Sequence, residues 1–150
     1  MTSTTTAVAP APTATRQVTT SGYQVSFLPK HRRVRFPIRT VRRDTDEYLR
    51  RIGVTGLVLD NALLVVSELV TNAIKHGQGQ PVGLRIAHLA DGLHIAVSDG
   101  NPTPARLRAA DVDDENGRGL LLVSAVSKAW GVSIDGTTTW CLLESTERST

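Results

Sequence analysis

Apolar and polar positions change period along the chain, and each change marks an element. Tyr23, Val25 and Phe27 alternate with polar residues, the pattern of a half-buried strand that ends before Pro29. Val34, Ile38, Val41, Tyr48, Leu49 and Ile52 then recur at threes and fours, which predicts a helix with arginines on its other face. Pro37 fits near its first turn and Gly53 closes it. A second helix is predicted from about Leu57 to His76, with Thr55 as its cap and Gly77 and Gly79 as its stop. Val82, Leu84 and Ile86 alternate, as do Leu93, Ile95 and Val97, and Asp91-Gly92 between them signals a hairpin. Residues 100–116 carry no period, two prolines and the acidic run Asp111, Asp113, Asp114 and Glu115, as in a lid or binding loop. A third helix is predicted from Leu120 to about Lys128, entered through Gly117-Arg118-Gly119. Val132 and Ile134, then Trp140 and Leu142, make a closing hairpin across Asp135-Gly136.

Helices that cluster early and strands that pair by hairpins give an α+β class: a two-layer sandwich of three helices on a mixed, mostly antiparallel sheet. At 150 residues the chain holds one such domain. Residues 1–22 contain eight Thr, four Ala, two Pro and two Ser, with Arg16 the only charge. Such a segment has little to bury against its ordering entropy, so it is expected to be a disordered tail, with the folded domain at 23–150.

Composition narrows the class. The single cysteine, Cys141, leaves no internal disulfide and no cysteine-built zinc site. The longest purely apolar runs are four or five residues, so no membrane-crossing segment is expected, and the Met1 end does not read as a secretory signal. A cytoplasmic location follows as the expectation. The net charge of +3 is uneven: residues 30–51 hold nine of the 17 Lys and Arg against Asp44, Asp46 and Glu47. A basic face favours nucleic acid, phosphate or an acidic protein. Aromatics barely interleave with it, which argues against a single-strand stacking platform and makes nucleic acid the weakest of these partners.

The second helix carries the chemistry. At 100° per residue, Asn61, Glu68, Asn72 and Lys75 fall within roughly 60° of one another on a helix that is otherwise apolar nearly all round. Unpaired burial of such groups costs several kcal/mol, so the stripe either faces solvent or serves a ligand. A carboxamide oxygen suits Mg²⁺ that also holds phosphate oxygens. A carboxylate one turn earlier can take a proton from an attacking hydroxyl or water. Asp99-Gly100-Asn101-Pro102 ends a strand, where a carboxylate can accept a hydrogen bond from an exocyclic amine, although the same residues are everyday turn formers. Gly117-Arg118-Gly119-Leu120 opens a helix, where backbone N–H groups can approach an anion and Arg118 can bond phosphate; plain helix entry after a loop reads equally well. No Gly-Lys-Ser/Thr phosphate loop is present, and His31, His76, His88 and His94 lack metal-ligand spacing.

Taken together these strings resemble one superfamily. Glu68-Leu-Val-Thr-Asn72-Ala-Ile-Lys75-His76 is similar to the N box of the GHKL, or Bergerat-fold, ATPases. Asp99-Gly100-Asn101 stands at its first glycine box, Gly117-Arg118-Gly119-Leu120 at its second, and Gly136-Thr137-Thr138 resembles its terminal Gly-Thr motif. The resemblance covers about residues 23–145 and is strongest to the compact bacterial anti-sigma-factor and serine-protein-kinase branch. It implies Glu68 as catalytic base and Asn72 as Mg²⁺ ligand, with Lys75 and His76 completing that box. It implies Asp99 as acceptor of the adenine amino group, with Gly100 and Asn101 beside it and Thr138 supporting the same contact. Gly117, Arg118, Gly119 and Leu120 would line the phosphates, and residues 100–116 would form the ATP lid.

The implied activity is transfer of the γ-phosphoryl of ATP to a serine or threonine of an anti-anti-sigma partner, with sequestration of a sigma factor and homodimerisation as further branch properties. The first box departs from the family's Asp-x-Gly-x-Gly, reading Asp99-Gly100-Asn101-Pro102-Thr103 with neither glycine in register. That departure motivates a second reading, a non-catalytic module that binds nucleotide and captures a protein. A third reading, a nucleic-acid binder, rests on the basic first helix.

Overall fold

The computed structural model describes residues 15–19, 22–27, 35–76, 80–100 and 115–144. Six strands form one sheet: β1 (Thr15–Thr19), β2 (Gly22–Phe27), β3 (Val82–Leu89), β4 (Gly92–Ser98), β5 (Ala129–Val132) and β6 (Thr138–Leu143), in the order β1-β2-β3-β4-β6-β5. The helices are α1 (Arg35–Arg51), α2 (Gly56–His76) and α3 (Glu115–Val126). They lie on one face of the sheet, an α+β sandwich. All five strand pairings are antiparallel, in keeping with the expected α+β sandwich on a mostly antiparallel sheet.

Strand alternation builds the core. The register aligns Tyr23, Ile86, Ile95, Cys141 and Trp130 in one row across the sheet, and Val25, Leu84, Val97, Thr139 and Val132 in the next. These rows face the helices, while Gln24, Ser26 and Arg85 between them are exposed. Each fully buried aliphatic or aromatic side chain stabilises the fold by roughly 1.5–3 kcal/mol relative to exposure. α1 docks through Val41, Tyr48 and Leu49, and the Tyr48 ring stacks on Tyr23 of β2 with centroids 5.2 Å apart. Burial raises the Tyr48 phenol above its ordinary value. α2 is central: it packs on α1, α3, β3, β4 and β6, and buries Leu59, Ala62, Val65, Val66, Leu69, Val70, Ala73 and Ile74.

α1 ends as its glycine predicts. Gly53 has φ of 90°, its N–H donates to the Arg50 carbonyl at 3.1 Å, and the Val54 N–H donates to the Leu49 carbonyl at 2.8 Å. This pair of bonds is the Schellman closure, and Val54 and Leu49 are both buried beside it.

Four expectations need correction. Thr15–Thr19 is an edge strand paired with β2, not tail; Thr is β-branched and fits a pleated ladder, a property that polarity alone hides. Residues 1–14 lie outside the described residues. α3 begins at Glu115 rather than Leu120, so Gly117-Arg118-Gly119 lies inside the helix; most of the expected lid, 101–114, lies outside the described residues. The face of β6 is inverted relative to its large apolar residues: Cys141 and Leu143 point inward because they oppose Ile95 and Leu93, while Trp140 is 36 % exposed and Ile134 stands fully out on the turn. Finally, α2 is long and apolar enough by length and composition to cross a membrane, although no single apolar run in it is long. Its apolar surface is spent on the sheet and on the two flanking helices.

Candidate functional site

α2 sets the first two groups. Glu68 and Asn72 stand one helical turn apart on one face. Asn72 is only 7 % exposed, and its Oδ1 has no hydrogen-bond partner among the described residues. An unsatisfied buried amide oxygen costs roughly 1–3 kcal/mol. Glu68 is half-buried, and its side chain lies across α3 at Gly119. A Cβ at position 119 would stand 2.6 Å from Oε2 of Glu68, 3.6 Å from its Cδ and 3.8 Å from its Cβ. Glu68 therefore lies at the α2–α3 junction, and Asn72 is buried one turn further along α2.

The strand ends supply the rest. Asp99 follows β4, is 4 % exposed and has interaction partners; its N–H donates to the Thr137 carbonyl at 3.0 Å. That bond ties the end of β4 to the start of β6. Next to it Gly100 sits against the Gln80 side chain, four residues beyond the end of α2. The exits of α2 and β4 thus share one edge of the molecule.

The turn into β6 is pinned by Asp135. Its Oδ1 accepts from Ser133 Oγ at 2.6 Å, Thr137 Oγ1 at 2.8 Å and the Thr137 N–H at 3.1 Å. The Ser133 bond, then those from Thr137, hold this exposed carboxyl below its ordinary value. A Ser133 N–H bond to the Thr138 carbonyl at 2.8 Å closes the same turn, which fixes where Thr137 meets Asp99.

Several expected residues fall elsewhere. Thr138 opposes Ser98 on the outer face of the sheet, so it is not brought beside Asp99. Thr139, 6 % exposed and level with Val97, shares the helix-facing side. Sequence reading missed Thr139 because it took the strand's face from Trp140 and Leu142; the period-two row through Cys141 and Leu143 was the available signal. Leu120 is buried in the core. Lys75 is exposed and His76 half-buried in the last turn of α2, where positive charge complements the helix dipole, and both have interaction partners. Gly117 and Arg118 lie in the first turn of α3, and Asn101 lies outside the described residues. Asn61 is two turns from Glu68 and lines a different cavity of about 450 Å³ at the other end of α2, with Leu57, Val126 and Leu143.

The donor set can be matched to chemistry. A neutral amide oxygen without a partner is a hard ligand, suited to Mg²⁺, which keeps several waters and takes one or two protein ligands beside phosphate oxygens. Among the described residues no group of three His, Cys, Asp or Glu is placed to hold a metal by itself. Cys141 takes no part: burial pushes its thiol up to about 11.

Comparison with known proteins identifies a family. Residues 34–142 match the family described as histidine kinase-like ATPase domain. The chain is also 39 % identical over 75 residues to the uncharacterized protein SCO4941 of Streptomyces coelicolor, across 47 % of this chain and 71 % of that one.

Proposed function

The chain belongs to the histidine kinase-like ATPase domain family, and from that premise we propose that it is an ATP-dependent regulatory protein serine/threonine kinase. Its substrate in this reading is an anti-anti-sigma protein, and it also sequesters a sigma factor in the cytoplasm. The observation that carries the reading is the pair on α2: a buried amide oxygen without a partner among the described residues, one turn from a carboxylate that rests against α3.

In this reading Asn72 would hold Mg²⁺, whose charge would offset that of the triphosphate. Glu68 accepts the proton of the attacking serine or threonine hydroxyl as its oxygen bonds the γ-phosphorus. The bond to the β-phosphate oxygen breaks, and ADP leaves with that electron pair. Asp99, desolvated at the end of β4, accepts from the adenine amine. Gly117 lies in the first turn of α3, where N–H groups without intrahelical acceptors can meet a phosphate. Positioning and electrostatics supply most of the acceleration in such transfers.

The test is phosphate transfer from labelled ATP to an anti-anti-sigma protein. Transfer is expected in the wild type and should vanish in Glu68→Ala. Transfer that survives the substitution removes Glu68 as the base. Tight ATP binding with no transfer to any such protein favours the non-catalytic module, the reading motivated by Asn101-Pro102 in the first glycine box.

A further inference from the structure

We infer that Gly119 is a positioning residue for Glu68: its bare α-carbon is the seat on which the carboxylate side chain rests, and its role is steric rather than phosphate contact. The inference takes from the proposed function that Glu68 acts as the base. The three heavy atoms nearest to a Cβ at position 119 are Oε2, Cδ and Cβ of Glu68, so the whole side chain crosses this one residue. Real Cβ atoms do not approach an oxygen to 2.6 Å, so any side chain at position 119 must displace the carboxylate. Gly119 lies beyond the first turn of α3, so its N–H bonds within the helix and is not among the donors left for an anion.

Local propensity sharpens the point. Glycine inside a helix is unfavourable relative to alanine, so α3 would form more readily with alanine at position 119. The same reach from α2 to α3 leaves Glu68 on the face it shares with Asn72. A carboxylate seated in this way is limited in direction by the α3 backbone beneath it.

A double-mutant cycle tests the seat. Gly119→Ala is expected to raise the melting temperature less in the wild type than in Glu68→Ala, because the carboxylate end must first swing aside. In the Glu68→Ala background the same substitution should be stabilising, because the clash is gone and alanine favours the helix. In kinetics Gly119→Ala should lower the transfer rate by roughly 100-fold while the KM for ATP stays within about threefold, and add nothing to the loss in Glu68→Ala. If Gly119→Ala does not fold alone, Glu68→Asp/Gly119→Ala, with a side chain one methylene shorter, should restore folding with the rate still depressed.

An equal effect of Gly119→Ala on stability in both backgrounds overturns the seat. So does a rate loss matched by an equal rise in the KM for ATP, which is the signature of a lost phosphate contact. A wild type that binds ATP without transferring phosphate contradicts the kinase reading instead, and the stability cycle then decides the seat by itself.

Discussion

At the scale of single residues, burial separates groups kept inert from groups held for use. Cys141 and Asn72 are both buried polar side chains on or near the sheet core. Cys141 is kept neutral, since burial raises its thiol to about 11. Asn72 is not compensated at its oxygen. The raised thiol has a consequence for stability. A folded-state pKa above the unfolded one contributes stability that is complete below the unfolded value of 9.0 and is lost as pH rises through about 11. Across that window the wild type should therefore lose about 2–3 kcal/mol that Cys141→Ala does not lose. Urea unfolding of both proteins at pH 7, 9, 10 and 11 checks this, and parallel curves would reject it. The native thiol should also resist alkylation at neutral pH until the protein is unfolded.

At the scale of elements, what the sequence discloses depends on whether a segment's own pattern decides its structure. α1 and α2 were legible because a 3.6-residue apolar period, a terminal glycine and a buried stripe all lie within the segment. β2, β3 and β4 were legible because their alternation is clean. β1 was not, since Thr15, Val18 and Thr19 form a strand only because β2 offers an unpaired edge. The facing of β6 was not legible either. It is decided by partners more than 40 residues away, Ile95 and Leu93, and overrides the larger apolar residues Trp140 and Leu142. The start of α3 was obscured by Asn116, Gly117 and Gly119, which all lower helix propensity.

The closure of α1 gives a clean test at this scale. Nothing lies within 4 Å of a Cβ at Gly53, so Gly53→Ala should cost only the left-handed backbone penalty, about 1–2 kcal/mol in denaturant unfolding. A neutral result would mean that the Schellman closure does not hold α1 at this point. The ion pair of Arg50 with Asp46 at 2.9 Å, on the exposed side of the same helix, is worth only a few tenths of a kcal/mol.

At the scale of the whole molecule, one helix organises everything. α2 touches both neighbouring helices and three strands, and its exit lies beside the end of β4. This explains why the site could be read from a short string. Glu68 and Asn72 are one turn apart on a helix whose burial the sequence already showed, and whether their stripe faced solvent or a ligand was left open; Asn72 is buried and Glu68 half-buried. Gly119 as the seat of Glu68 could not be read, because that contact depends on how closely α3 approaches α2, and no periodicity encodes such a distance.

Leaving the Asn72 oxygen buried and without a partner among the described residues gives up stability, which a bound magnesium–nucleotide would recover. Asn72→Leu, close in size and without the orphan oxygen, should therefore unfold about 1 kcal/mol harder than the wild type. The deciding measurement is an ATP titration of wild type and Asn72→Leu with and without Mg²⁺. The wild type should bind ATP in a Mg²⁺-dependent way, and Asn72→Leu at least about tenfold more weakly. Equal Mg²⁺-dependent affinities in the two proteins would contradict this role of Asn72.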